Sequence, residues 1–164
     1  MTINRLDEEA YWEEKVHVYA DMVLRLALTY MKNKTDAQDI CQDVFLKLLR
    51  QGRRFSDEEH EKAWILRVTI NACKDALRSP WRRRVAPLTG MELPIGNSEG
   101  REMVEQVLAL PSKYRVTVYL HYFENYRTAE IAELLGKNEN TIRTWLKRAR
   151  ELLRTKLDGG EGNG

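Results

Sequence analysis

Four cations in the last third of the chain, Arg143, Lys147, Arg150 and Arg154, recur at steps of three or four residues. At about 100° per residue this spacing puts them on one side of a helix, with Thr144 and Arg148 extending the stripe. Ile142, Leu146, Ala149, Leu153 and Leu157 fall on the other side, flanked by Trp145 and Leu152. The chemistry on offer is recognition, not bond making. Guanidinium, ammonium and hydroxyl groups in a row can bond phosphates and the base edges of duplex DNA. A solvated basic helix closing a bundle shows the same ridge, so the residues before it decide. Thr128 is placed to cap a short amphipathic helix, Ala129 to Leu135. Gly136 suits a left-handed C-cap, where a side chain would clash. Asn138 can cap the next helix, Glu139 to Leu157. Two helices about a short glycine turn form a helix-turn-helix, whose second helix enters the major groove.

Two further faces carry chemistry. Arg67, Asn71, Lys74 and Arg78 share a stripe of a helix expected over Ala63 to Arg78, with Trp64, Val68 and Ala72 toward the core. Arg82, Arg83 and Arg84 follow at once. Cations can track phosphates, and an amide among them can bond the edge of an unstacked base, which suits single-stranded or distorted DNA. A solvated helix face followed by a basic linker is the plain alternative. The other face lies on the helix expected from Thr35 or Asp36 to Arg50. Ala37, Ile40, Cys41, Val44 and Leu48 form its core side. Asp36, Asp39, Gln42 and Asp43 form an acidic-polar side, and Leu46 and Leu49 stand outside the core stripe with Phe45 at its edge. Either a protein partner with a basic, partly apolar helix meets these leucines, or a further helix of this chain covers them.

The elements that must position these groups read as helices throughout. Of 164 residues, 43% are hydrophobic and 32% charged, the profile of a soluble helix-rich protein. Nine glycines and four prolines cluster instead of recurring, so long segments run unbroken. Tyr11 to Met31 is apolar at helical spacing, Lys32-Asn33-Lys34 interrupts it, Gly52 ends the second helix, and a third starts between Asp57 and Lys62. Ser79-Pro80 stops that one. Three prolines and three glycines between 79 and 100 mark a linker. Helical periodicity resumes at Arg101, and Pro111, Asn125 and Gly136 divide the remainder into about four helices. The expected fold is all-α: two small helical domains, 1–78 and 101–157, joined by the flexible linker 79–100, with a disordered tail over 158–164.

Enzymes fit poorly. His17, His60 and His121 are scattered, and there is no nucleophile–base pairing, phosphate loop or metal-ligand spacing. No metal, cofactor or small-molecule substrate is expected. Cys41 and Cys73 are far apart and read as buried reduced thiols. With no signal-like or membrane-length apolar run, a cytoplasmic location without membrane insertion is expected. The net charge of +2 excludes little, but acidic residues crowd the N-terminus and basic ones the two stretches described above.

These residues resemble a known family. The run YADMVLRLALTYMKNKTDAQDICQDVFLKLLR, residues 19 to 50, looks like region 2 of extracytoplasmic-function (ECF) sigma factors, and KAWILRVTINACKDALR like the segment that recognises the minus-ten element. VLALPSKYRVTVYLHYFENYRTAEIAELLGKNENTIRTWLKRARELLRTKL resembles region 4. Order, spacing and length all agree. The resemblance implies that Asp39, Gln42 and Asp43, with Phe45, Leu46 and Leu49, dock on the clamp helices of core RNA polymerase. It implies that Asn71, helped by Arg67, Lys74, Arg78, Arg82, Arg83 and Arg84, holds a flipped minus-ten base. Arg143, Thr144, Lys147, Arg148 and Arg150 would read the minus-thirty-five element of promoter DNA. The linker would thread toward the RNA exit path, and an anti-sigma factor is the expected inhibitor. Trp145 departs from the family, which more often has a polar or basic residue there. A conventional helix-turn-helix repressor leaves the Asp39 to Asp43 face idle, and a helical adaptor leaves both cationic stripes idle.

Overall fold

A computed structural model describes the backbone over residues 5–79 and 104–161, with side chains through 155 in the last helix. Every regular element among these residues is helical. They fall into two compact units, Met1–Thr89 and Gly90–Gly164.

In the first unit α1 spans Arg5–Met31, α2 Lys34–Gln51 and α3 Glu58–Arg78, each packing on the other two. Asp7 and Glu8 sit in the first turn of α1, where the helix dipole favours negative charge. Lys32, at φ 56°, turns the chain out of the helix while its N–H donates to the Leu28 carbonyl at 2.9 Å. The cap of α2 is Asn33, not Thr35 or Asp36. Its extended backbone lets Oδ1 reach forward and accept from the Asp36 N–H at 3.0 Å, which leaves the two expected caps inside the helix. Gly52 closes α2 at φ 58°, and Asp57 caps α3 by accepting from the Glu59 N–H. Extended Ser79 ends α3 directly before Pro80.

The core of this unit is Val23, Leu26 and Ala27 of α1, Ala37, Ile40, Val44 and Leu48 of α2, and Ile65, Leu66, Ile70 and Cys73 of α3. Each large aliphatic side chain among them contributes roughly 1.5–3 kcal/mol by burial. Trp64, Val68 and Ala72 are only half-buried. Because α3 packs on both α1 and α2, its buried arc is broad and centred one residue on from the expected stripe. Cys73 is buried, but Cys41 is half-buried, with its thiol facing the Ala20 carbonyl at 4.0 Å. Burial, then the nearby Asp21, push that thiol up from its ordinary value.

One charged residue lies inside this core. Glu61, 2% exposed, accepts hydrogen bonds from the Tyr11 hydroxyl at 2.7 Å and the Tyr19 hydroxyl at 3.0 Å, and pairs with Lys15 Nζ at 2.8 Å. All three partners lie on α1, so the cluster fixes the register of α3 against it.

In the second unit a helical turn over 104–108 precedes α4, Ser112–Val118, α5, Thr128–Leu135, and α6, Glu139–Glu161. Buried Arg115 donates to the carbonyls of Leu110 at 2.8 Å and Leu108 at 3.4 Å, which satisfies the open end of the first turn. α4 widens into a single π turn, Tyr119–Phe123, closed where the Glu124 N–H meets the Tyr119 carbonyl at 3.2 Å. Thr128 is the first residue of α5 and not its cap. The Arg127 N–H ahead of it is held by Glu130 Oε1 at 3.0 Å, which frees the Thr128 hydroxyl for another bond.

Gly136 takes the left-handed conformation, φ 65° and ψ 40°. A Cβ at this position would meet no other part of the chain within 4 Å, so the clash that favours glycine is with the neighbouring backbone alone. The demand for glycine is purely one of backbone energy. Gly136→Ala should therefore destabilise the second unit by about 1 kcal/mol, the handedness cost of one residue. Urea unfolding of the full chain followed by circular dichroism measures it. A variant as stable as the parent would contradict this account of the turn.

α6 is also longer than expected. It runs past Leu157 and stays helical to Glu161, through part of the presumed tail. Gly159 and Gly160 stop it neither with a left-handed turn nor by removing an N–H as proline would.

Candidate functional site

In the second unit α5, the Gly136 turn and α6 hold the cationic ridge. Asn138 Oδ1 caps α6 by accepting from the Asn140 N–H at 2.8 Å. Ile142, Leu146 and Ala149 are buried against α4 and α5, and that fixes the rotation of the helix. Arg143, Thr144, Lys147, Arg148 and Arg150 all stand in solvent on the opposite side. Trp145 is half-buried at the boundary, with Lys113 of α4 5.9 Å from its ring centre, so it packs at the edge of the ridge.

Two residues to which the sequence reading gave no role in recognition shape this ridge. Glu139 Oε1 accepts from Arg143 Nη2 at 2.8 Å and from the Thr128 hydroxyl at 2.9 Å, tying the start of α5 to the first turn of α6. Tyr122, on the π turn, accepts from Arg150 Nε at 2.6 Å. Arg150 is thus anchored, whereas no comparable tie to Lys147 or Arg148 occurs among the described residues. A carboxylate at α6's start is visible in the sequence as a dipole partner. Its bridge to Thr128 needs the turn to be closed first.

In the first unit Arg67, Asn71 and Arg78 are exposed along one face of α3, and Lys74 is half-buried beside them. Arg78 faces Asp75 at 3.7 Å, an exposed pair of small energetic weight. Arg82, Arg83 and Arg84, with Trp81 and the rest of the segment from 80 to 103, lie outside the described residues. Sequence reasoning passed over the α2–α3 connection. There the Arg53 guanidinium lies over the Phe55 ring at 4.8 Å and the Trp64 ring at 5.5 Å, while Arg54 lies over Tyr11 at 4.3 Å. The run Arg53-Arg54-Phe55 was its only local signal.

On α2 Asp39, Gln42 and Asp43 are exposed, Leu46 and Leu49 are each 45% exposed, and Phe45 is half-buried. Among the described residues no further helix covers the leucines. Asp39, Gln42, Phe45, Leu46 and Leu49 line one wall of a groove of about 780 Å³ whose other wall is α1. His121 Nδ1 lies 2.8 Å from the Tyr126 carbonyl, and His60 pairs with Asp57 at the surface. No group of metal-binding side chains occurs among the described residues, and no helix there is long and apolar enough to cross a membrane.

Residues 16–83 match the family model described as Sigma-70 region 2, and residues 100–153 that described as Sigma-70, region 4. The chain is 33% identical over 137 residues to the RNA polymerase sigma factor SigV of Bacillus subtilis, covering 81% of this chain and 82% of that one. It is 24% identical over 179 residues to the ECF RNA polymerase sigma factor SigW of the same organism, covering 94% and 92%. Among solved structures, the sigma factor RpoE of Bartonella quintana, in complex with the anti-sigma factor NepR, superposes with a TM-score of 0.74. The identity is 16%, over 89% of this chain and 96% of that one, a likeness of fold.

Proposed function

The chain belongs to the ECF sigma factors of the sigma-70 family, and from that premise we propose how its two helical units divide promoter recognition and transcription initiation by RNA polymerase. The second unit, assigned to 101–157, anchors duplex DNA at the minus-thirty-five element. Arg143, Thr144 and Lys147 present donors to base edges, and Arg148 and Arg150 meet phosphates. The observation that carries this reading is the exposure of all five on one face while Ile142, Leu146 and Ala149 are buried on the other. A bidentate arginine–guanine contact supplies roughly 1–3 kcal/mol of discrimination.

The first unit, assigned to 1–78, docks on core polymerase through the acidic-apolar face of α2 and captures an unpaired minus-ten base on the Asn71 face of α3. Arg67, Lys74 and Arg78, and the Arg82 to Arg84 loop, neutralise the strand's phosphates. The mechanism is differential binding. Unpaired DNA gains contacts that duplex DNA lacks, so the equilibrium shifts toward the melted promoter. Flipping a base costs a few kcal/mol, and the pocket must offset that amount. The segment 79–100 is assigned as the connection between these tasks. The role is binding without catalysis, carried out where polymerase works, in the cytoplasm. RpoE of Bartonella quintana was solved with an anti-sigma factor, and an inhibitor of that kind is the expected regulator here.

Run-off transcription of genomic fragments with purified core polymerase tests the whole reading. Discrete transcripts that depend on this protein are expected. An absence of transcripts together with an absence of co-elution with core would remove the division of labour proposed above.

A further inference from the structure

We propose that Glu139 is a positioning residue that sets specificity: it holds the Arg143 guanidinium for one base edge and, by its charge, weakens attraction to DNA in general. This inference rests on the reading that α6 meets the minus-thirty-five element. It adds a residue outside the five cationic and hydroxyl side chains of the ridge.

A carboxylate is out of place where Glu139 stands. Around α6 it lies about 40° from Arg143 and about 20° from Arg150, so it shares their side of the helix. It belongs to the first turn, the part of a recognition helix that contacts base edges. The helix dipole favours an acid at this end, but not one turned toward the ridge. Two bonds account for the turn. Glu139 Oε1 accepts from Arg143 Nη2 at 2.8 Å and from the Thr128 hydroxyl at 2.9 Å. An exposed pair one helical turn apart orients little by itself, because both side chains swing. Here Thr128, on α5, restrains the acid from a second helix, and the acid restrains the guanidinium.

The pair stays open to DNA, since the Arg143 side chain is 63% exposed and that of Glu139 40%. The guanidinium has five N–H groups, and no partner of Arg143 besides Glu139 occurs among the described residues. The rest of its fork is enough for a bidentate contact with the O6 and N7 of a guanine. An unrestrained arginine takes the nearest phosphate instead, and phosphate contacts carry no sequence information. Glu139 also offsets one positive charge of the ridge beside a polyanion. Its removal therefore has two opposite effects: binding to every sequence rises, while preference at one base pair falls. A residue that only braced the turn would lower both.

The test uses the full-length chain assembled with purified core polymerase. Its DNA is a promoter fragment recovered by run-off transcription, with the minus-thirty-five element randomised. Sequencing the bound and unbound pools gives the preference at each base pair, and a fragment with a scrambled element gives the general affinity at two salt concentrations. The variants are Glu139→Ala, Glu139→Gln, Arg143→Ala and the double alanine, each checked by thermal unfolding. Arg143→Ala should lose about tenfold preference at one base pair. Glu139→Ala should lose about fivefold at the same pair, yet bind the scrambled fragment about twofold more tightly at low salt, a gain that fades at high salt. Glu139→Gln, whose amide oxygen still accepts from Thr128 and Arg143, should keep the preference. The double variant should be no worse at that pair than Arg143→Ala, as for two residues serving one contact. If Arg143→Ala loses the preference and Glu139→Ala keeps it, the positioning role is overturned and the reading of α6 stands. Loss at a different pair would make Glu139 a direct reader, and weaker binding to the scrambled fragment would make it a brace of the turn; either overturns the proposal. If Arg143→Ala changes no preference, the base-reading role of Arg143 fails and takes this inference with it.

Discussion

Glu61→Ala lowers the stability of the first unit by about 3 kcal/mol, the low end of the cost of breaking a buried ion pair. The carboxylate is 2% exposed and gathers three donors from α1: Lys15 at 2.8 Å, Tyr11 at 2.7 Å and Tyr19 at 3.0 Å. Removing it leaves an ammonium and two hydroxyls facing apolar surface. Lys15 keeps 19% side-chain exposure and can lean toward water, which places the loss at the low end of the range. Glu61→Gln keeps the volume and an acceptor but not the charge, so it should lose about 1–2 kcal/mol, the difference between a charged and a neutral hydrogen bond. Urea unfolding followed by tryptophan fluorescence reports on this unit through Trp12 and Trp64. A loss below 1 kcal/mol for the alanine variant would mean that the cluster contributes to register alone.

The same cluster sets an acid limit. Burial alone would raise the Glu61 carboxyl, but hydrogen bonds from Lys15, Tyr11 and Tyr19, and then the Lys15 charge, outweigh it and hold the group below its ordinary 4.5. A group depressed in the folded state stabilises fully above its unfolded value and loses that stabilisation as pH falls through the folded one. Stability should therefore be steady above about pH 5 and decline in more acidic solution. Lys15 behaves oppositely. Its hydrogen bond to Glu61 raises it above 10.5, so its contribution is complete below that pH and is lost as the solution becomes more alkaline. In Glu61→Gln the acid decline should be shallower, which unfolding at several pH values would register.

None of this cluster was legible in the sequence. Glu61 sits in the run Glu58-Glu59-His60-Glu61-Lys62, which reads as a solvated first turn, and its partners lie more than forty residues earlier. Local patterning names the helices because the apolar period is a property of neighbours in sequence. It cannot name a charge that is buried because a distant helix brings donors to it. The shifted stripe of α3 has the same origin. A single period picked Trp64, Val68 and Ala72, whereas packing on two helices buries a wider arc from Ile65 to Ala76. Caps failed where two candidates stood close together. Asn33 prevailed over Thr35 and Asp36 on backbone conformation, which composition does not reveal.

The candidate faces were more legible, since a surface patch needs only one helix to form it. The exposure of Asp39, Gln42, Asp43, Leu46 and Leu49 follows from the core stripe of α2, and that of the α6 ridge from Ile142, Leu146 and Ala149. The cross-element ties were not. Glu139 to Thr128 and Arg150 to Tyr122 depend on the Gly136 turn and on the π turn that swings Tyr122 outward. They mean that the five ridge residues are not equivalent: Arg143 and Arg150 are oriented beforehand by Glu139 and Tyr122, and no such tie to Lys147 or Arg148 occurs among the described residues.

Asn71→Ala reduces the open-promoter fraction at a limiting polymerase concentration by about 10- to 100-fold, while core polymerase binds as before. The magnitude follows from the contact: a side-chain amide bonding a base edge in a bidentate manner contributes roughly 1–3 kcal/mol, and each 1.4 kcal/mol is tenfold. The separation follows from position. Asn71 is exposed on α3, whereas the docking residues proposed above lie on α2, so its loss disturbs neither the core nor that face. Arg67→Ala is the informative companion. It removes one phosphate partner, so it should weaken opening on every promoter alike and lower the salt dependence, without altering preference at any base. Potassium permanganate footprinting of unpaired thymines, run beside a co-elution assay with core, reads the two properties separately. Loss of core binding in Asn71→Ala would contradict the division of labour. Unchanged footprints at normal core binding would move the captured base away from Asn71, toward the Arg53, Phe55 and Trp64 cluster near the start of α3.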